Sequence, residues 1–360
     1  MRIVISVPSL EKEFGGPSSK ALRLGRALAE LGHEVRVAGC GTAPDGLGLP
    51  ALGRFHGTPI PRTTRPLTRA VRGADVVHII GLRDPVGLAA AFTARRMGIP
   101  LVVEPVGMHR RHLRSLHLKT AYDSLLGDRV MGWGGQIIAT SEAERATLVA
   151  EGIAPMRLSL RANGIDVDDL LPLPARGAFR SRLGIAPDAP LALVLARIYA
   201  LKGLEYFADA IGRIPGAFGV VAGPDEGDGT LERLLGMPHL KVIPGGIWGK
   251  EKAQALADAD CVALPSESES FGSAAAEAAC VGIPVVVTRT AGISEWLERD
   301  SAGVIEYGDV EALAFALADG MRSQARHIAA QAAAPRLRGT LDWSNLARQQ
   351  VEIYRGAGAR

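Results

Sequence analysis

The stretch PSESESFGSAAAEAACVGIPVVV, residues 265–287, combines a polar loop, a run of small residues that indicates a helix, and an apolar strand. Two carboxylates, Glu269 and Glu277, lie on either side of the start of this helix. The N-terminus of a helix exposes unpaired backbone N–H groups and the positive end of the helix dipole, so it attracts anions. One carboxylate there can act as a cap, and the second needs a separate explanation.

The same alternation of strands and helices extends along the whole chain. In the first half, apolar runs of strand length occur at RIVISV, HEVRVAG, ADVVHII and IPLVVEP, separated by helical patterns. After residue 190 the rhythm restarts with LALVLAR, AFGVVAG, LKVIPGG, DCVALP and IPVVVT. Such alternation is typical of βαβ units, with a parallel sheet and helices on both faces. Open α/β sheets bind ligands beyond the carboxyl ends of their strands, so we predict an α/β fold of two Rossmann-like doubly wound domains facing a central cleft.

The length and the prolines predict where the two domains meet. A chain of 360 residues exceeds the roughly 250–300 at which a single core stops growing, so two domains are expected. Four prolines interrupt the pattern in VDDLLPLPARGAFRSRLGIAPDAP, which begins at residue 167. We therefore predict a first domain at 1–166, a linker at 167–188 and a second domain at 189–340.

The composition is that of an ordinary globular protein. Apolar residues make up 47% and charged residues 22%, and 41 basic against 38 acidic residues give a net charge of +3, which predicts no nucleic-acid partner. Three widely spaced cysteines fit a reducing compartment and offer no CxxC metal pair. The N-terminus lacks the features of a secretory signal, and no apolar run approaches 18 residues. These features predict a cytoplasmic protein with no metal site and no membrane span.

Two connections between strands and helices carry candidate phosphate-binding groups. The loop PSLEKEFGGPSSK places Gly15 and Gly16 before a helix, where backbone N–H groups can approach a phosphate, although the loop matches neither GxGxxG nor a P-loop and a plain turn is the alternative. In the second half, Arg197 and Lys202 follow the strand LALVLA. A guanidinium and an ammonium five positions apart suit a diphosphate, and two solvated surface cations are the alternative.

The carboxylates of the opening stretch favour the diphosphate interpretation, because they belong to another strand-to-helix connection of the same half. Backbone N–H groups at the helix start can receive phosphate oxygens, while Glu277 can accept hydrogen bonds from hydroxyl groups and Glu269 can hold further hydroxyls. A ligand with two phosphates flanked by two polyols, which is a nucleotide-sugar, would use every part of this arrangement. The candidate donor-binding residues at the helix start are Glu269, Ser270, Phe271, Gly272, Ser273 and Glu277.

These residues resemble a known family. The spacing of Glu269, Phe271-Gly272 and Glu277 is similar to the E-x7-E motif of retaining glycosyltransferase family 4, of the GT-B fold. Further landmarks follow in the expected order, namely Gly15-Gly16, Asn163-Gly164-Ile165-Asp166, Arg197, Lys202-Gly203, AGPDEGDG and AGISEWL. The ending LDWSNLARQQVEIYRG is similar to the closing helix of the family, which implies that residues 341–360 return to the N-terminal domain.

The resemblance implies a function and a role for each matching residue. It implies transfer of a hexose-type sugar, with retention of anomeric configuration, from a nucleotide-diphosphate sugar held by the second domain to a saccharide or lipid-linked acceptor held by the first. Arg197 and Lys202 would bind the diphosphate and stabilise the departing nucleotide without a metal or another cofactor. Glu277 would hold the ribose hydroxyls, Glu269 would contact the transferred sugar, and Gly16 would give phosphate or acceptor close access.

The sequence patterns that indicate acceptor-binding residues are less specific. His109, in EPVGMHRRH, is placed to polarise the reacting sugar or an acceptor hydroxyl, and an ordinary solvated histidine is the alternative. His78 lies inside an apolar run and is interpreted as a core or strand-end residue. The segment 109–126 carries a basic face and an apolar face, a pattern that suits peripheral contact with the inner face of an anionic membrane. The alternative is that the apolar face packs on the core of the domain.

Two other functions are compatible with the same fold. A nucleotide-sugar epimerase would use a similar double domain, but the ordered E-x7-E set is the transferase pattern. A non-catalytic nucleotide-sugar-binding partner subunit is the second alternative. The presence of Arg197, Lys202, Glu269 and Glu277 together argues against it.

Overall fold

A computed structural model describes residues 1–11, 16–55, 57–107, 126–168, 170–297 and 301–359. The chain forms two compact units. The first unit contains Met1–Gly164 and Asp342–Arg360, and the second unit contains Ile165–Leu341.

The first unit is built on a seven-stranded parallel sheet. The strands of this unit are β1 (Arg2–Ser9), β2 (Glu34–Cys40), β3 (Gly46–Leu49), β4 (Ala51–Phe55), β5 (Thr58–Pro61), β6 (Val76–Ile80), β7 (Leu101–Glu104), β8 (Gln136–Ala139) and β9 (Leu158–Leu160). The order of the parallel sheet is β3-β2-β1-β6-β7-β8-β9, and β4 and β5 form a separate antiparallel pair.

Helices pack on both faces of this sheet because successive residues of a strand point to opposite sides. Ile3 and Ile5 belong to one apolar cluster and Val4 to the other. Local sequence sets the ends of the helix Pro85–Met97. Asp84 accepts a hydrogen bond from the amide of Gly87 at its start, and Gly98 ends it in a left-handed conformation. The helices are α1 (Gly16–Glu30), α2 (Arg65–Arg72), α3 (Pro85–Met97), α4 (Asp128–Trp133) and α5 (Glu142–Ala150).

The second unit is built on a six-stranded parallel sheet. Its strands are β10 (Leu191–Leu195), β11 (Phe218–Gly223), β12 (Leu240–Pro244), β13 (Cys261–Leu264), β14 (Val285–Thr288) and β15 (Ala302–Ile305), in the order β12-β11-β10-β13-β14-β15. Its helices are α6 (Ala178–Leu183), α7 (Leu204–Gly212), α8 (Thr230–Leu234), α9 (Gly249–Asp258), α10 (Ser273–Cys280), α11 (Val310–Arg322) and α12 (Gln324–Leu341). The predicted α/β fold class, with two Rossmann-like sheets, is confirmed.

Residues 167–188, where the sequence predicts a linker, lie in the second unit and include α6. The side chain of Asp258 accepts hydrogen bonds from the amides of Gly177, Phe179 and Arg180, so it caps α6. Arg180 is buried and donates to Asp260 at 2.8 Å. These bonds attach the segment to the sheet of the second unit.

The last helix, α13 (Trp343–Gly356), belongs to the first unit. Asp342 caps its start by accepting from the amide of Asn345. Its buried side chains join the apolar cluster that also contains residues of β1 and α1. His78 is fully buried in β6, and its Nδ1 lies 3.0 Å from the hydroxyl of Tyr354, which confirms the interpretation of this histidine as a core residue.

Candidate functional site

Arg197 lies just beyond the carboxyl end of β10, one of the two central strands of the second sheet. The backbone there passes very close to β11, since a Cβ at Gly223 would lie 1.7 Å from the carbonyl oxygen of Ala196. The guanidinium of Arg197 donates from Nη1 to Oε1 of Glu226 at 2.9 Å. Burial acts to lower the pKa of Arg197, but Tyr199 and Glu226 outweigh it and raise the pKa above its ordinary value. Arg197 is therefore a permanent cation at the sheet edge.

Lys202 ends a short 3-10 helix, Ala200–Lys202, and is only 7% exposed. Its Nζ donates to Oε2 of Glu269, which follows β13. The loops after β10 and β13 come together at Gly203, whose φ is +63° and where a Cβ would lie 2.1 Å from the carbonyl oxygen of Pro265. Glycine at this position therefore permits the approach that places Lys202 beside Glu269.

Tyr199 lies between Arg197 and Lys202 in the sequence and near both in space. Its ring centroid is 5.1 Å from Cζ of Arg197 and 5.7 Å from Nζ of Lys202. A cation within about 6 Å of a ring centroid is attracted by the negative face of the ring. The two cations proposed from the sequence thus share one aromatic neighbour, and the sequence analysis did not single it out.

The stretch around Glu269 and Glu277 forms the predicted loop, helix and strand. Helix α10 begins at Ser273, after Gly272 with φ +100°. A Cβ at Gly272 would lie 2.4 Å from Cδ2 of Leu264, so the turn needs glycine. Phe271 is buried, and its carbonyl accepts from the amide of Ile293 at 2.6 Å, which ties the turn to the AGISEWL segment.

The two carboxylates are both half-buried, and each one is paired with a lysine. Glu269 pairs with Lys202, whereas Glu277, one turn into α10, accepts a hydrogen bond from Nζ of Lys252 on α9. Ser270 is half-buried and Ser273 is exposed at the helix start. The sequence analysis did not assign Lys252 or Glu226 to the site, although Glu226 lies in the AGPDEGDG landmark. Each of the two residues meets its partner from a different connection.

A cluster of buried charges occupies the carboxyl edge of the first sheet. Glu104, the last residue of β7, accepts hydrogen bonds from Lys20 of α1 and from Arg161, which follows β9. Lys20 also donates to the side chain of Asn163. Burial lowers the pKa of Lys20 to about 8. Burial alone would raise the pKa of Glu104, but Lys20 and Arg161 hold it well below its usual range.

Some of the predicted residues of the first unit belong to its described part and others do not. Gly15 and His109 lie outside the described residues, as do residues 108–125, which include nearly all of the predicted amphipathic segment 109–126. Gly16 starts α1 and is exposed, with no atom within 4 Å of the position a Cβ would take. The hydroxyl of Ser18 donates to the carbonyl of Ser9 at 2.7 Å and so ties the start of α1 to the end of β1.

Within the described parts of the chain, no group of three or more His, Cys, Asp and Glu residues is arranged to hold a metal ion. None of the helices found there combines the length and the apolar character that crossing a membrane requires.

Comparison with protein families gives matches to both halves of the chain. The model described as "Glycosyl transferase 4-like domain" matches residues 15–164, and the model described as "Glycosyl transferases group 1" matches residues 175–335. With two parallel sheets of this topology, these matches define a glycosyltransferase of the GT-B fold. The chain belongs to the group 1 glycosyltransferases of the family 4 type.

Similar proteins span almost the whole chain. A D-inositol 3-phosphate glycosyltransferase of Xylanimonas cellulosilytica is 29% identical, over 97% of this chain and 93% of that protein. Among solved structures, sucrose-phosphate synthase from Thermosynechococcus elongatus has a TM-score of 0.74 at 20% identity, with 99% of each chain covered. Alr3699/HepE of Anabaena, in complex with UDP and glucose, has a TM-score of 0.76 at 17% identity, with 98% of each chain covered. At these identities the two structures support the fold alone.

Proposed function

We propose that this protein transfers a hexose-type sugar from a nucleotide-diphosphate sugar to an acceptor hydroxyl, with retention of anomeric configuration. The observation that carries the proposal lies in the second unit. There Arg197 and Lys202 share one aromatic neighbour, and Lys202 contacts Glu269, which lies in the loop before α10. Cations for a diphosphate and carboxylates for hydroxyl groups are thus contributed by neighbouring connections of one sheet edge.

Each group has a chemical role in the proposal. Arg197 and Lys202 bind the diphosphate and neutralise the negative charge that develops on it as the sugar departs, which is the kind of stabilisation that accelerates group transfer most. These two cations take the place of a divalent metal ion, so the reaction needs none. The helix dipole and first amides of α10 favour the same phosphate groups. Glu277 accepts hydrogen bonds from the ribose, and Glu269 from the transferred sugar.

The names of related proteins suggest which substrates to test first. Alr3699/HepE was solved with UDP and with UDP-glucose, so UDP-hexoses are the first donors. A relative that acts as a D-inositol 3-phosphate glycosyltransferase makes a phosphorylated polyol the first acceptor, beside saccharide and lipid-linked acceptors. We also propose peripheral contact of segment 109–126 with anionic lipid at the inner face of the membrane, on its basic and apolar sequence pattern alone.

Product analysis tests the proposed reaction. The protein is incubated with each nucleotide-sugar and acceptor, and the anomeric configuration of the new glycosidic bond is read by proton NMR. The proposal expects nucleoside diphosphate release that depends on acceptor, and a product with the anomeric configuration of the donor. An inverted product would contradict retention. An altered nucleotide-sugar formed without acceptor would favour an epimerase instead, and binding without any turnover would favour a non-catalytic subunit.

A further inference from the structure

The loop that carries the two candidate diphosphate-binding cations also holds Tyr199, which is half-buried. Its backbone is anchored on both sides. The amide of Ile198 donates to the carbonyl of Pro224 at 2.7 Å, and the carbonyl of Tyr199 accepts from the amide of Lys202 at 3.0 Å. The aromatic ring therefore projects from a loop whose position is set by β11 and by the 3-10 helix.

The ring contacts each cation in a way that the carboxylates do not. Glu226 and Glu269 accept hydrogen bonds from Arg197 and Lys202, so a diphosphate must compete with them for the same N–H donors. An aromatic face attracts a cation through its quadrupole and uses no oxygen lone pair. Contacts of 5.1 Å and 5.7 Å from the ring centroid can therefore persist while the donors of both cations turn to phosphate.

We propose that Tyr199 is a positioning residue for the diphosphate, because its ring contacts both the guanidinium of Arg197 and the ammonium of Lys202. Two like charges repel, and free side chains of this length lose conformational freedom when they bind. A shared aromatic neighbour offsets both costs before the ligand arrives. This inference rests on the proposed function, since it assigns the ligand of the two cations as a nucleoside diphosphate.

The test replaces the ring and measures binding by isothermal titration calorimetry. Tyr199→Leu and Tyr199→Gln remove the aromatic face, whereas Tyr199→Phe retains it. UDP, ADP and GDP are titrated first to find the base that the unmodified protein binds, and the matching nucleoside is then titrated as a probe without phosphates. Phe315→Leu is the matched control, because Phe315 is a 78% exposed aromatic residue on α11 of the same unit.

We expect the non-aromatic variants to lose only the part of the affinity that depends on the phosphate groups. Both non-aromatic variants should bind the nucleoside diphosphate about tenfold more weakly, as two lost cation–ring contacts imply. Tyr199→Phe and Phe315→Leu should stay within about twofold of the unmodified protein, and nucleoside affinity should stay constant throughout. Circular dichroism and thermal melting verify that each variant is folded, and two non-aromatic substitutions keep the test valid if one is unstable.

Other outcomes overturn the inference in distinguishable ways. Unchanged diphosphate affinity in a folded Leu or Gln variant would show that the ring positions nothing. A loss in Tyr199→Phe equal to that in Tyr199→Leu would transfer the role to the hydroxyl group. A parallel loss of nucleoside affinity would indicate general damage to the unit. Failure of the unmodified protein to bind any nucleoside diphosphate would instead overturn the proposed function, and this assignment with it.

Discussion

Both cations assigned to the diphosphate are paired with a carboxylate in this structure. Arg197 is held by Glu226 and Lys202 by Glu269. The Arg197–Glu226 pair is partly exposed, so water screens it and it contributes only about 0–1 kcal/mol, whereas the Lys202–Glu269 pair is largely buried. A diphosphate carries more negative charge than one carboxylate, so it can displace these partners. The pairs therefore keep the cations in place without blocking the ligand.

The first prediction concerns Lys202. If it stabilises charge on the leaving diphosphate, it acts mainly in the transition state, where such a donor is worth about 3 kcal/mol, or roughly a hundredfold in rate. Lys202→Ala should lower kcat by this factor and weaken donor binding by much less. Steady-state kinetics with varied donor measure both. Lys241→Ala is the control, since Lys241 is an exposed lysine on β12 of the same unit. An unchanged kcat in Lys202→Ala would remove Lys202 from the mechanism.

The second prediction separates the two carboxylates. Glu277→Gln keeps the shape of the side chain but weakens a charge-assisted acceptor for the ribose, so affinity for the free nucleotide should fall by about 1–2 kcal/mol. Glu269→Gln should leave the free nucleotide nearly unaffected and weaken the complete nucleotide-sugar. Calorimetric titration of both ligands into both variants measures the difference. Equal losses for the free nucleotide would show that the division of roles is wrong.

The sequence indicates which residue types form the candidate site, but it does not indicate how they pair. Glu269, Glu277, Arg197 and Lys202 follow the motif order of the family that the sequence resembles. Glu226 belongs to the AGPDEGDG landmark, but its contact with Arg197 depends on how the loops after β10 and β11 pack. The buried pairing of Glu104 with Lys20 likewise joins residues 84 positions apart. Contacts at such separations follow from the topology of the sheet.

The candidate site of the second unit is formed by loops that connect strands to helices. The loop after β10 meets the loop after β13 at Gly203, and their close approach leaves no room for a Cβ. The same two loops supply Lys202 and Glu269. Backbone packing at one glycine is therefore coupled to the geometry of the candidate site.

The third prediction uses this glycine and a matched one. Gly203 and Gly216 both have positive φ, at +63° and +72°, but a Cβ at Gly216 would meet no atom within 4 Å. Gly216→Ala should cost only the conformational strain, about 1–2 kcal/mol, and leave nucleotide affinity intact. Gly203→Ala should cost clearly more and weaken nucleotide binding, because the loop must move. Urea unfolding and titration of the nucleotide measure the two effects. Equal behaviour of the two variants would contradict the coupling of Gly203 to the site.

Secondary-structure elements could be predicted from the sequence where a single local pattern dominates. The apolar runs that the sequence analysis identified as strands all form strands of the two parallel sheets, because burial on both faces makes such runs nearly continuous. The prolines of residues 167–188 led to the prediction of a linker, but α6 forms between Pro174 and Pro187. Its cap is the side chain of Asp258, about 80 positions away, and no local pattern indicates that bond.

Over the whole molecule, the chain builds two units of one architecture with different chemistry at their sheet edges. The second unit presents cations and carboxylates that are partly accessible, whereas the first unit buries its charged cluster around Glu104. The last helix, α13, returns to the first unit, so both ends of the chain contribute to that unit. Membership of the family accounts for the common architecture. The identity of the acceptor depends on side chains that fold class does not specify.

The central claim is that the second unit binds a nucleotide-diphosphate sugar through Arg197 and Lys202. A thermal-shift screen of the unmodified protein and an Arg197→Ala, Lys202→Ala double variant against UDP-, ADP- and GDP-sugars tests it most directly. A ligand at 100 times its dissociation constant adds about 2.7 kcal/mol of stability, which is a readily measured rise in melting temperature. We predict a clear rise with at least one nucleotide-sugar, lost in the double variant. No rise with any of them, or an equal rise in the double variant, would contradict the claim.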